Sequence, residues 1–300
     1  MLKKRIYLVL FRQLLTISNF KTMNRIIYFI LLSILTMLYS CTEKMDIQLD
    51  DAYTRLVVEG RFSTDTTVHK VRLTKTSSYF YNNAALPVSG AIVTISDGVN
   101  TILLTENSDG VYETPPNTYG KVGKTYQLLI KNVDIDKNGV FEEYSASSTI
   151  YPINTIDSIA MKYNENFESW EVKCYVFDPP TTDYYLFNIY KNNVLLTDTI
   201  TEPLVVDDKM YNGNYTNGIG VGYLRDEKSD EKAYPGDTIE LEIWRITKEF
   251  QKFVMELQDA TRPSTPLFSG PPANVKGNIS NGAVGYFTAY STSRCKGVIR

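Results

Sequence analysis

From residue 55 onward the chain is a succession of short segments in which apolar and polar residues alternate, separated by turns built on glycine, asparagine and aspartate. A period of two places successive side chains on opposite faces. Such a chain buries its apolar face only by forming β-strands and stacking the resulting sheets. His69 to Thr74 shows the pattern, with His69, Val71 and Leu73 on one face and Lys70, Arg72 and Thr74 on the other. Arg55–Phe62, Ala91–Ser96, Thr101–Thr105, Val111–Thr114, Thr125–Lys131 and Tyr144–Tyr151 complete a first set, closed by turns such as Asp97-Gly98 and Ser108-Asp109-Gly110. The 22 tyrosines and 13 phenylalanines suit pleated, half-buried surfaces. No helical period interrupts these runs, which predicts an immunoglobulin-like β-sandwich over residues 53–152.

Pro152 marks a boundary, and residues 153–300 are expected to form a second β-rich domain. Thr155–Ile159 opens it. Ser169–Phe177 follows with Trp170, Val172, Cys174 and Val176 on one face. Tyr184–Tyr190 and Val194–Ile200 flank Lys191-Asn192-Asn193, a hairpin signal, and Thr238–Trp244 reads as a further strand. Residues 207–235 read as a long polar loop, and Arg294 to Arg300 as a short basic tail. One helix is predicted over about 246–260, where Ile246, Phe250, Phe253, Val254 and Leu257 share a face. The expected fold class is therefore mostly β: two antiparallel β-sandwich domains with one amphipathic helix in the second.

The N-terminal region lies outside this pattern. From Met23 to Cys41 a single basic residue, Arg25, precedes an apolar run from Ile26 to Tyr39, shorter than the roughly 20 residues a spanning helix needs. Leu38-Tyr39-Ser40-Cys41 resembles a lipobox, in which a signal peptidase cuts before the cysteine and the sulfur is diacylated. Residues 1–40 are then expected to be a signal peptide, with Met23 the true start and residues 1–22 an upstream extension; the alternative is a long n-region carrying Lys3, Lys4, Arg5, Arg12 and Lys21. Residues 41–52 are a lipid-anchored tether. Removal of residues 1–40 leaves 25 basic and 34 acidic residues, a formal charge of minus 9 against minus 3 for the whole chain. Nucleic acid is a poor partner for so acidic a chain.

The inventory of reactive groups argues against catalysis. His69 is the one histidine and sits in a strand pattern, and the cysteines beyond Cys41 are Cys174 and Cys295, with no CxxC partner. Serine and cysteine triads and zinc sites therefore lack material. Asp134, Asp136, Asn138 and Glu142 place oxygen ligands around Gly139 as a calcium loop does, but position 12 of such a loop is Ser145. Two readings stay open for them: a solvated hairpin turn, and a weak calcium site. No other cofactor is expected. Gly218, Gly220 and Gly222 match no phosphate loop and read as flexible chain. The same stretch carries Tyr211, Tyr215 and Tyr223 among asparagines, a composition suited to stacking and hydrogen-bonding a ligand. The adjacent pairs Glu142-Glu143 and Asp207-Asp208 do not of themselves set two carboxylates across a cleft, as a glycosidase requires.

Several dispersed stretches occur together in a characteristic order: Val57-Val58-Glu59-Gly60, His69 to Leu73, Ser89-Gly90-Ala91, Gly110-Val111-Tyr112, Gly123-Lys124-Thr125-Tyr126, Ile156 to Ile159, and Pro266 to Ser291. In order and spacing they resemble a Bacteroidota lipoprotein family catalogued as the domain of unknown function DUF4249. The resemblance implies an outer-membrane lipoprotein, held in the membrane by acylated Cys41 and often found beside a TonB-dependent receptor, with no catalytic residues to carry over. The expected function is a binding or scaffolding accessory of a TonB-dependent nutrient-uptake system rather than an enzyme. An adhesin or envelope-structural lipoprotein is the alternative, and a carbohydrate-active hydrolase a remote one. Whether the protein faces the periplasm or the cell exterior stays open.

Overall fold

The computed structural model describes residues 54–77, 84–261 and 275–300. The signal, Cys41, the whole tether and the first part of the Pro266–Ser291 stretch, up to residue 274, fall outside these residues. The first half holds β1 (Leu56–Ser63), β2 (Lys70–Lys75), β3 (Ile92–Ser96), β4 (Thr101–Leu103), β5 (Thr105–Ser108), β6 (Val111–Glu113), β7 (Thr125–Val133) and β8 (Glu142–Thr149). The second holds β9 (Ser158–Asn164), β10 (Ser169–Tyr175), β11 (Tyr184–Lys191), β12 (Val194–Leu195), β13 (Leu204–Asp207), β14 (Ile219–Arg225), β15 (Thr238–Ile246), helix α1 (Lys248–Thr261) and β16 (Val284–Val298).

Among the described residues the strands form three sheets. A nine-stranded sheet runs β12-β11-β15-β16-β1-β2-β6-β5, with β13 also paired to β11; the others are β4-β3-β7-β8 and β14-β10-β9. The four-stranded sheet packs on the β1–β2–β6 part of the large sheet, burying Phe62, Leu73, Ile95, Leu128, Ile130 and Phe287. The three-stranded sheet packs on the β11–β15 part around Val172, Cys174, Ile189, Leu224, Ile239 and Leu241. The protein is thus mostly β and sandwich-like. Alternation explains it locally: in β1 and β7 buried positions largely recur every second residue.

The two cores are joined by β16. Its residues Val284–Tyr290 pair in parallel with β1, and Ser291–Val298 pair antiparallel with β15. One continuous strand therefore contributes Phe287 and Ala289 to the first core while Cys295, further along, packs against the second. Arg294 and Lys296, expected in a basic tail, lie inside this strand. Arg294 bonds Asp65 at 2.5 Å and also reaches Glu242, and Lys296 lies 3.1 Å from Glu240. A tail-like run of cations is in fact a strand face matched to acidic neighbours.

Residues 207–235 differ from expectation in a second way, because they contain β14. Glycine weakens a strand, yet here its missing side chain is required. A Cβ on Gly220 would lie 2.3 Å from Glu171 Oε1, and one on Gly222 2.1 Å from Ile189 Cδ1. The hairpin at Asn192-Asn193 is observed, both residues having positive φ as a type I′ turn requires, although its second strand shortens to β12.

The helix begins at Lys248, two residues after the start of its apolar period, because Thr247 caps it. The Thr247 hydroxyl accepts the Phe250 N–H at 3.2 Å. Phe250 and Val254 pack on Leu186, Trp244, Tyr286 and Tyr290, covering the face of the large sheet opposite the three-stranded one.

His69 is buried beside Phe62, with ring centroids 4.7 Å apart. Its Nδ1 accepts the Ser63 N–H at 3.4 Å, so Nε2 carries the proton and donates to the Thr118 carbonyl at 3.1 Å. Burial holds its pKa below the usual 6.5. Because the unfolded chain takes up the proton first, stability should fall as pH drops below about 6.5 and level off below the folded value. His69→Gln, neutral throughout, should show a shallower decline of melting temperature between about pH 7 and pH 5. An equal slope would remove His69 as the cause.

Candidate functional site

Among the described residues the three-stranded sheet ends at β14 and β13 pairs only with β11, so the sandwich gapes between them. A cavity of about 500 Å³ opens there. Cys174 and Val221 form one wall, Phe187, Val205 and Ile243 the other, and Met255 of α1 closes one side. A second hollow of about 580 Å³ continues along β14 past Leu204 and Tyr223 to Lys228 and Glu231. Several apolar rim residues are exposed: Phe177, Leu204, Met255 and, at 85%, Met210. An apolar concavity with a few polar groups is the usual form of a binding site.

The polar groups converge at one end. The loop before β11 supplies Asp178 and Asp183, and the end of β13 supplies Asp208; one carboxylate oxygen from each lies within 4.8 Å of the others. The two loops are zipped by backbone bonds: Asp178 N–H to Asn214, Gly213 N–H to Pro179 and Asp208 N–H to Asp183. Asp183 Oδ2 takes the Thr181 hydroxyl at 2.9 Å and the Tyr185 hydroxyl at 3.3 Å, and Oδ1 takes a single guanidinium nitrogen of Arg245. Asp208 Oδ2 accepts the Asp183 N–H at 2.9 Å, and Asp178 Oδ1 accepts the Tyr185 hydroxyl at 2.9 Å. The remaining oxygens, Asp178 Oδ2 and Asp208 Oδ1, are buried and have no hydrogen-bond partner among the described residues. Burial pushes Asp178 up to about 6; the Tyr185 hydroxyl opposes this and the adjacent Asp208 adds to it.

The expected ligand residues are dispersed. Tyr211 lines the cavity and Tyr223 the second hollow, while Tyr215 stands outside both and is paired through the Phe177 bridge. At the predicted calcium turn Asp134 takes the Asn138 and Gly139 amides, both at 3.0 Å, and Asp136 takes the Asn138 side chain at 2.9 Å. Glu142 accepts the Tyr144 hydroxyl. Among the described residues, the three acids brought close enough to share an ion are instead Asp178, Asp183 and Asp208. Sequence reasoning noted Asp208 only as one of an adjacent pair. Asp178 precedes Pro179-Pro180, an ordinary turn signature, so spacing gave no hint of the convergence.

Among the described residues, this cavity brings no cysteine and histidine together in its lining. Cys174 lines it, but burial pushes its thiol up to about 12, and His69 belongs to the first core. Asp178 and Asp208 crowd one end of the cavity rather than flanking a sugar-sized gap.

A family model described as a domain of unknown function, DUF4249, matches residues 42–296. The chain belongs to the DUF4249 family. The match begins directly after Cys41 and spans both sandwiches, β16 and the cavity. A search of curated proteins finds no match to this DUF4249 chain.

Proposed function

We propose that this DUF4249 chain is an outer-membrane lipoprotein, attached through acylated Cys41, that acts as a binding or scaffolding accessory of a TonB-dependent nutrient-uptake system. The observation that carries the binding reading is the open apolar groove between β13 and β14, with exposed Phe177, Leu204, Met210 and Met255 on its rim. Large apolar side chains left in water around a concavity mark a surface that a ligand or partner covers. Membrane attachment is supported by the lipobox-like run before Cys41, and the receptor association by the family resemblance. A binding rather than catalytic role is supported by the lining, where the thiol is held protonated by burial.

Tagged full-length chain, solubilised from native membranes in mild detergent, should carry a TonB-dependent receptor with it. Cys41→Ser should release the chain from the membrane fraction. Leu204→Glu with Met255→Glu, both at exposed rim positions, should reduce receptor or cargo recovery severalfold without unfolding the chain. Recovery of the wild type with no receptor, under conditions that preserve other outer-membrane complexes, would remove the uptake role and leave adhesion or envelope structure in its place.

A further inference from the structure

We propose that Asp178, Asp183 and Asp208 form a binding site for one divalent cation, calcium by its all-oxygen ligand set. The grouping alone does not carry this; the state of its oxygens does. Asp178 and Asp208 are 5% and 4% exposed, and each presents one oxygen with no hydrogen-bond partner to a space where the three side chains come within 4.8 Å. A buried carboxylate oxygen without a donor is costly, and two facing each other are costlier still. Proteins resolve such a pair with a shared proton, other donors, a counter-charge or an ion.

The donors around the pair are committed elsewhere, apart from Arg245 Nε, which is itself buried without a partner and bonds neither oxygen. Tyr185 gives its hydroxyl to Asp178 Oδ1 and Asp183 Oδ2, and the Asp183 N–H goes to Asp208 Oδ2. Arg245 directs its two terminal nitrogens to Asp183 Oδ1 and the Ile246 carbonyl, away from the unpartnered pair. Lys209 bonds Asp207 at 2.6 Å. Three carboxylates against one guanidinium leave an excess of negative charge when all are ionised. These same bonds fix the inner oxygens, so the outer ones are held in place, as ligands in a rigid site are. Asp178 and Asp208 also line the cavity, which gives an ion an entry path and room for the waters that complete a shell of six to eight oxygens. The predicted turn at Asp134 differs, since its own backbone amides already satisfy its carboxylates.

The site lies in the same cavity as the proposed binding groove, but its test is independent of any receptor. Full-length acylated chain in detergent, stripped with EDTA, is titrated with CaCl2 by calorimetry and followed by thermal melting. The expected result is saturable uptake of one ion per chain and a raised melting temperature. Asp178→Asn with Asp208→Asn should weaken affinity by about tenfold or more, while Asp134→Asn with Asp136→Asn leaves it unchanged. Absence of both heat and thermal shift in the wild type would overturn the proposal, and this arm needs no variant to fold. A calcium response that survives in the Asp178/Asp208 double variant, or disappears in the Asp134/Asp136 one, would overturn it equally. Loss of receptor co-purification would leave it untouched.

Discussion

Phe287→Ala should cost about 3–5 kcal/mol, the usual range for emptying a fully buried aromatic site, and the loss should register in the second sandwich as well as the first. Phe287 is 0% exposed and sits in the first core, where its ring fills the space above Gly60; a Cβ there would meet Phe287 Cδ2 at 2.8 Å. The two tryptophans, Trp170 and Trp244, both belong to the second half. Because β16 pairs with β1 along one part and β15 along the other, destabilising its first part should lower the urea midpoint that tryptophan fluorescence reports. Val298→Ala, at the exposed far end of the same strand, should change it by less than about 0.5 kcal/mol. An unchanged tryptophan transition in Phe287→Ala would mean that the halves unfold independently.

The second large effect is expected at Arg245, which is 6% exposed. Its guanidinium lies 5.0 Å from the Tyr151 ring and 5.8 Å from the Tyr185 ring, and it pairs with Asp183. Arg245→Met keeps most of the side-chain volume but leaves three buried acids without their counter-charge. Breaking a buried pair from one side costs about 3–5 kcal/mol, and that loss should appear in denaturant melts with EDTA present. Adding Asp183→Asn should cost less than the sum of the single changes, since it removes the stranded charge. A single-variant loss below about 1 kcal/mol would show the pair to be dispensable.

The strands that alternate cleanly were legible from residue types alone, as His69 to Thr74 and the Asn192-Asn193 hairpin show. β14 was not, because glycine reads locally as a breaker and its use here depends on Glu171 and Ile189, which lie far away in sequence. The course of β16 was hidden for a related reason. Arg294 and Lys296 are solvent-seeking by type and become strand residues only where Glu240, Glu242 and Asp65 meet them. The aspartate site had the weakest signal. Its members come from two turns whose local chemistry is complete in itself, and only the β11–β13 pairing brings them together.

The placement of β1 bears on how the body would carry a load. It is the first strand among the described residues, and it lies inside the sheet with β16 on one side and β2 on the other. A pull along β1 from its N-terminal end would meet the Val57–Ser63 ladder with β16 and the Leu56–Gly60 ladder with β2 together. Those bonds would resist in shear, sharing the force, whereas an edge strand peels away one bond at a time. A load entering through this end would therefore be met by both ladders at once.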